Sequence, residues 1–232
     1  MVNKEYKQAL YEYLLEYVTE NKQAKFEEIL NNRTRALTVV LEDIFKSHNA
    51  SAVLRTAECL GLQDVHVIEQ DNSFNLNPYV LRGSGKWLTI HHHQRKAGVN
   101  NSLACLKVLK KQGYRILATT PHEGARNYRD VEINGKVAVV FGAEENGISQ
   151  DVIDQADDLI QIPMMGFTES FNISVSAAII LEYFSAETRK KSGWKLTENE
   201  KFDLKLEWVK KVVHQVDAHI RKFESTVGEK IN

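Results

Sequence analysis

The chain has 232 residues, 43% hydrophobic and 26% charged, a composition that excludes a disordered or fibrous chain and is long enough for one α/β domain with helical additions. A formal net charge of −1 excludes broad, non-specific nucleic-acid binding through a large positive excess, though it leaves room for a local basic face. With no run of eighteen apolar residues and a charged opening, Met1-Val2-Asn3-Lys4-Glu5, a membrane or secreted protein is not expected, and the chain reads as cytoplasmic.

Residues 5–32 read as helical: Tyr6, Leu10, Leu14 and Val18 recur at helical spacing, and Phe26, Ile29 and Leu30 continue a second short stretch. From Leu37 the rhythm changes to short β-branched runs separated by helical stretches, the alternation of a mostly parallel sheet covered by helices. The expected strands are 37–41, 65–69, 115–119, 137–141 and 159–162. The expected helices between them are 50–60, 102–112, 150–155 and 173 to about 188. Gly61 and Gly113 suit helix ends, where a left-handed residue is easiest without a β-carbon. Beyond Lys191-Ser192-Gly193, the residues Leu206, Val209, Val213, Val216, Ile220 and Phe223 predict an apolar seam along one long helix. The domain reading is therefore an N-terminal helical arm over 1–35, an α/β core over 36–188 and a C-terminal helical extension over 189–232. Cys59 and Cys105 both fall in apolar helical patterns and are expected to be buried thiols.

Three segments stand out because each joins a strand end to a loop or helix start, where open α/β sheets bind ligands. The first is Asn49-Ala50-Ser51-Ala52-Val53-Leu54-Arg55-Thr56-Ala57-Glu58, with Asn49 placed to cap a helix and Arg55 further along it. The second is Phe141-Gly142-Ala143-Glu144-Glu145-Asn146-Gly147-Ile148-Ser149. A plain turn needs its glycines but not two carboxylates between them, and Ser149 is placed to cap the next helix. In the third, Ile162-Pro163-Met164-Met165-Gly166 ends a strand, and Ser170, Asn172, Ser174 and Ser176 then open a small-residue helix. Taken one at a time, capping and packing account for each segment.

Together, in this order, the three segments resemble the motifs of the SpoU/TrmH methyltransferases and span most of residues 40–185. The resemblance implies a SPOUT α/β fold, mostly parallel and flanked by helices, with a deep trefoil knot in its C-terminal part, although chains are by default unknotted. It implies S-adenosyl-L-methionine as cofactor, no metal, a homodimer, and 2′-O-methylation of an RNA ribose. Carried over by motif, the catalytic set is Asn49, Arg55, Glu144, Ser170 and Asn172. Thr119, Gly142, Ile162, Met164 and Phe171 fall at the cofactor pocket, with a departure at Phe171, where leucine is common in relatives. The family's general base falls on Arg55. A guanidinium with a pKa above about 12 is a poor base, so phosphate anchoring and stabilisation of the developing alkoxide remain open beside it.

Short helical arms without a separate N-terminal RNA-binding domain resemble the tRNA guanosine-18 members. Another tRNA position and ribosomal RNA are the alternatives, and a catalytically inactive RNA-binding protein is the reading from a different class. A nucleotide enzyme fits less well, because Gly83-Ser84-Gly85-Lys86-Trp87 matches neither G-x-G-x-x-G nor a phosphate loop. His91-His92-His93 cannot all bind one ion, since neighbours on a strand face opposite ways. Basic residues collect at Arg33 and Arg35, Arg82 and Lys86, Arg189-Lys190-Lys191, Lys205, Lys210-Lys211 and Arg221-Lys222, as solvated faces or as an RNA surface.

Overall fold

Leu37-Thr38-Val39-Val40-Leu41-Glu42 shows no alternation of polar and apolar residues, and a strand of that kind belongs where both faces are covered. In the computed structural model, which describes residues 4–44, 46–70, 83–121 and 124–227, it forms β1 (Leu37–Glu42), with every residue buried. The remaining strands are β2 (Asp64–Ile68), β3 (Thr89–His93), β4 (Tyr114–Thr119), β5 (Arg126–Asn127), β6 (Lys136–Phe141) and β7 (Asp158–Gln161). They make one seven-stranded sheet in the order β3-β2-β1-β6-β4-β7-β5, with every neighbouring pair parallel. The described helices, in chain order, are α1 (Lys4–Leu15), α2 (Glu20–Leu30), α3 (Ser47–Cys59), α4 (Asn101–Lys111), α5 (Gln150–Gln155), α6 (Ile173–Arg189), α7 (Glu198–Val212) and α8 (Val216–Val227).

The chain divides into two units, Arg33–Lys195 and the pair Met1–Asn32 with Leu196–Asn232. In the first, the period-two geometry of a strand sends alternate side chains to opposite faces. Leu37, Val39 and Leu41 join one core layer with Val53 and Leu54 of α3 and Ile180, Leu181 and Phe184 of α6. Val40 joins the other with Cys105, Leu106 and Leu109 of α4 and Val152 of α5. Thus α3 and α6 share one face of the sheet, which brings the first and third sequence segments together.

In the second unit, segments from the two ends of the chain pack on each other. Trp208 of α7 is buried edge-to-face against Phe26 of α2, with ring centroids 5.5 Å apart, and Phe223 of α8 lies 5.7 Å from Tyr6 of α1. The single long C-terminal helix expected from the seam is in fact two. The chain breaks between α7 and α8, where Gln215 takes a φ of 50°, a left-handed conformation uncommon outside glycine. No glycine or proline marks that break.

The short strand β5 was also absent from the reading of the sequence, and of β3 only the polar end His91-His92-His93 was read as strand. β3 and β5 lie at the two edges of the sheet and carry polar residues, as edge strands do. Cys105 is buried, whereas Cys59 is exposed, because α3 ends there and turns its last residue to solvent. Gly61 and Gly113 do take positive φ, at 75° and 84°, just past α3 and α4. Among the described residues, no helix is long and apolar enough to cross a membrane.

Candidate active site

Side by side in the sheet, β6, β4 and β7 end at the same edge, and the chain leaves them through Gly142, Thr119 and Ile162. That edge, outside the C-terminal ends of parallel strands, is where ligands bind in open α/β folds. The turn after β6 is tightly built. Ala143 and Gly147 form an antiparallel bridge, with the Gly147 amide donating to the Ala143 carbonyl at 2.9 Å. A β-carbon on Gly142 would collide with the backbone carbonyl of Gly147, so this position accepts only glycine. Thr119 donates its hydroxyl to the Val140 carbonyl at 3.0 Å, locking β4 to β6 where both strands end. Ile162 is half-buried against the larger core layer, and Met164 is half-buried in the loop that follows.

Three of the five candidate catalytic residues form one hydrogen-bonded line across the three sequence segments. Glu144 accepts from the side-chain amide of Asn49, and Asn49 accepts through Oδ1 from Nδ2 of Asn172 at 3.3 Å. Asn172 in turn accepts through Oδ1 from the Ser174 backbone amide at 2.9 Å and from the Ser174 hydroxyl at 2.6 Å. The polarity of the line follows from its ends. A carboxylate only accepts and a helix amide only donates, so each asparagine has one way to face.

Asn172 therefore has two functions, capping α6 and reaching Asn49. Asn49, in contrast, does not cap α3 as the sequence suggested. Lys46 holds that position without a side-chain cap, and Asn49 sits inside the first turn, 4% exposed, with its amide committed to Glu144 and Asn172.

Arg55 and Ser170 stand apart from this line. Arg55 is six residues beyond Asn49 on α3, about 9 Å along the axis and on another side of the helix. Its guanidinium is exposed and bonds to no other described residue. Ser170 is likewise exposed without a described partner. Around it the loop and the first turn of α6 present large apolar side chains to solvent: Met165 and Phe167 are fully exposed, and Phe171 is 44% and Val175 43% exposed.

One residue of this region was missed in the sequence. Glu42, the last residue of β1, is 2% exposed, and its carboxylate accepts from the Ser149 amide at 2.9 Å, the Ser149 hydroxyl at 2.7 Å and the Ser102 hydroxyl. It ties the end of the glycine-flanked turn to the sheet, while Ser149 caps α5 as expected. A lone acid ending an uncharged, mostly apolar strand was its only signal. Several basic residues considered for an RNA surface are engaged by the protein itself. Arg33 is 1% exposed and paired with Glu58 at 2.8 Å, Arg35 is paired with Asp64 at 2.9 Å, and Arg189 donates to the Leu60 carbonyl at 2.7 Å. Arg82 lies outside the described residues. Arg221 and Lys222 are exposed on α8.

A model of the SpoU rRNA Methylase family matches residues 36–182. Among curated proteins, the tRNA (guanosine(18)-2′-O)-methyltransferase of Borreliella burgdorferi is 43% identical over 201 residues, covering 86% of this chain and 89% of that protein. The enzyme of the same name from Thermus thermophilus is 35% identical over 175 residues, covering 75% and 87%. Among solved structures, the A. aeolicus TrmH/SpoU tRNA modifying enzyme superposes with a TM-score of 0.74 at 28% identity, covering 84% of this chain and 98% of that one. The SpoU methyltransferase AviRb from Streptomyces viridochromogenes, solved in complex with the cofactor AdoMet, shares the fold at a TM-score of 0.57 and 21% identity, over 71% and 62%.

Proposed function

Because this chain belongs to the SpoU methylase family, we propose that the line Glu144–Asn49–Asn172 and its surroundings form the active site of an S-adenosyl-L-methionine-dependent tRNA (guanosine-18) 2′-O-methyltransferase. The observation that carries this reading is that line, since it joins side chains from three segments distant in sequence at one edge of the sheet. The cofactor fits the same edge. Gly142 keeps the backbone free of a side chain, Ile162 and Met164 offer half-buried apolar surface, and Phe171 adds an exposed one. Thr119, its hydroxyl engaged with β6, holds the strand ends in register beneath it.

S-adenosyl-L-methionine supplies an electrophilic methyl group on a sulfonium. The protein's part is to bring a ribose 2′-hydroxyl in line with that methyl and to stabilise the charge that develops on its oxygen as the proton leaves for solvent. Arg55, whose guanidinium bonds to no other described residue, anchors the neighbouring phosphate bidentately while stabilising the developing alkoxide. Asn49 and Asn172 hold the catalytic floor rigid, and Glu144 is its structural end, bonded to Asn49 and not placed to take a proton. Ser170 orders the loop around the ribose.

The same reading takes the protein to be cytoplasmic and homodimeric, with a trefoil knot in the C-terminal part of the core. The apolar side chains of Met165, Phe167 and Val175 support pairing of two copies, since a monomer seldom leaves such groups in water together. The domain division that goes with it keeps catalysis in the α/β core and assigns the two terminal helical segments to substrate docking or pairing.

The test is to incubate the protein with labelled S-adenosyl-L-methionine and unmodified tRNA or ribosomal RNA, then map the product by nucleoside mass spectrometry. 2′-O-methylguanosine in the tRNA D-loop is expected. Label confined to another tRNA position or to ribosomal RNA overturns the substrate, and no transfer to either favours an RNA-binding protein without chemistry.

A further inference from the structure

On the edge of the sheet formed by β2 and β3, a second group of chemically capable side chains is left unused by the proposed reaction. β2 and β3 pair in parallel with His66 opposite His91 and Ile68 opposite His93. Residues two apart on a strand share a face, so His66, His91 and His93 all stand on the side that α4 covers, while His92 points to the other side and meets Glu69 at 3.0 Å. Nδ1 of His66 lies 3.2 Å from Nε2 of His93, and the rings of His66 and His91 stack at 4.4 Å with 14° between their planes. Cys105 of α4 is fully buried above them, and its sulfur has no hydrogen-bond partner among the described residues. A ligand nitrogen of each of His66 and His93 and the Cys105 sulfur all lie within 4.8 Å of one another.

We propose that His66, His93 and Cys105 form a binding site for a divalent d-block cation of borderline softness, zinc before others, with a water in the fourth position. Two imidazoles and one thiolate suit zinc, and harder oxygen-seeking ions are disfavoured there. In a tetrahedral zinc site, bonds of about 2.0–2.1 Å to nitrogen and 2.3 Å to sulfur set ligand atoms roughly 3.3–3.6 Å apart. The two histidine nitrogens, 3.2 Å apart, stand close to that spacing, and the sulfur, within 4.8 Å of both, has at most about 1 Å to close. Coordination replaces the Cys105 S–H bond by a sulfur–metal bond, and the thiol proton passes to solvent.

The surroundings are built to hold these ligands. Asp64 fixes His91 at 3.0 Å and is itself held by Arg35 at 2.9 Å, so the His91 ring is pinned flat against His66 as an outer support. The ion enters from the side of β3, where His91 is exposed and His93 is only half-buried. Once bound, it links the edge strand β3 to α4.

The experiment uses the full chain, reduced and stripped with a chelator, titrated first with Co2+ as a spectroscopic stand-in and then with Zn2+. One equivalent of Co2+ is expected to give a sulfur-to-cobalt charge-transfer band in the near ultraviolet and tetrahedral d–d bands in the visible, all erased by Zn2+, and Zn2+ is expected to raise the melting temperature. Cys105→Ala and His93→Ala should each lose the band, while Cys59→Ser and His92→Ala keep it. If Cys105→Ala does not fold, His93→Ala, at the half-buried edge, decides alone. No band at one equivalent, a band that survives His93→Ala, or one that vanishes with Cys59→Ser overturns the site.

Discussion

The two halves of the proposed active site are built in opposite ways. The inner half, Glu144, Asn49, Asn172 and Ser174, is a closed run of hydrogen bonds in which each asparagine both donates and accepts. The outer half, Arg55 and Ser170 with the apolar loop from Met165 to Phe171, is exposed, and neither polar side chain has a described partner. A satisfied network gains nothing further from a ligand and contributes rigidity. An unsatisfied cation at the surface has its full capacity for a phosphate. On the proposed reading, that difference separates positioning from chemistry.

Substitutions on either side of that division should therefore behave differently. Arg55→Ala should have the largest effect on function, a fall of about 10²–10³ in the methyl-transfer rate, the usual loss when one charge-stabilising donor is removed, with an unchanged melting temperature. A comparable fall in stability would erase the distinction. Asn49→Ala should act on both quantities. It takes away the shared partner of the half-buried Glu144 carboxylate and of the exposed Asn172 amide, which water can still reach, so each lost bond should cost about 0.5–1.5 kcal/mol, readable in denaturant unfolding alongside a weaker rate. Asn172→Ala removes the α6 cap as well as the link to Asn49 and should cost about 0.5–2 kcal/mol, while Asn172→Asp, which still caps, should recover most of the stability but not the link.

The smallest effect lies outside both halves and sets the baseline. Burial of Asp158 works to raise its pKa, but hydrogen bonds from Arg115 and Arg126 prevail and hold it below the ordinary aspartate range. A carboxylate depressed in the folded state stabilises above its unfolded pKa, and that contribution is lost as the pH falls through the folded one. Asp158→Asn should flatten the acid side of the stability profile by no more than about 1 kcal/mol and leave methyl transfer at neutral pH unchanged.

How much of this was legible in the sequence depended on what each residue faces. β1 and β6 are apolar on both sides and were plain, whereas β3 and β5 carry polar residues because they are edges and lacked a hydrophobic signal. The break between α7 and α8 has no glycine or proline to announce it, since the strain falls on Gln215. At the site, the order of the three segments was readable, but what each side chain bonds to was not. Asn49 looked like a helix cap and turned out to be the middle of a network, and Arg33 looked like part of a basic face and is a buried partner of Glu58. Local spacing reveals a helix start. It does not reveal which distant acid a side chain will meet once the sheet has formed.

The most direct test of the central claim offers the protein two otherwise identical unmodified tRNA transcripts, one with ribose and one with 2′-deoxyribose at guanosine 18, and follows labelled methyl transfer under single-turnover conditions. Label entering only the ribose transcript, at that nucleotide, is the predicted result; equal labelling of both would contradict it.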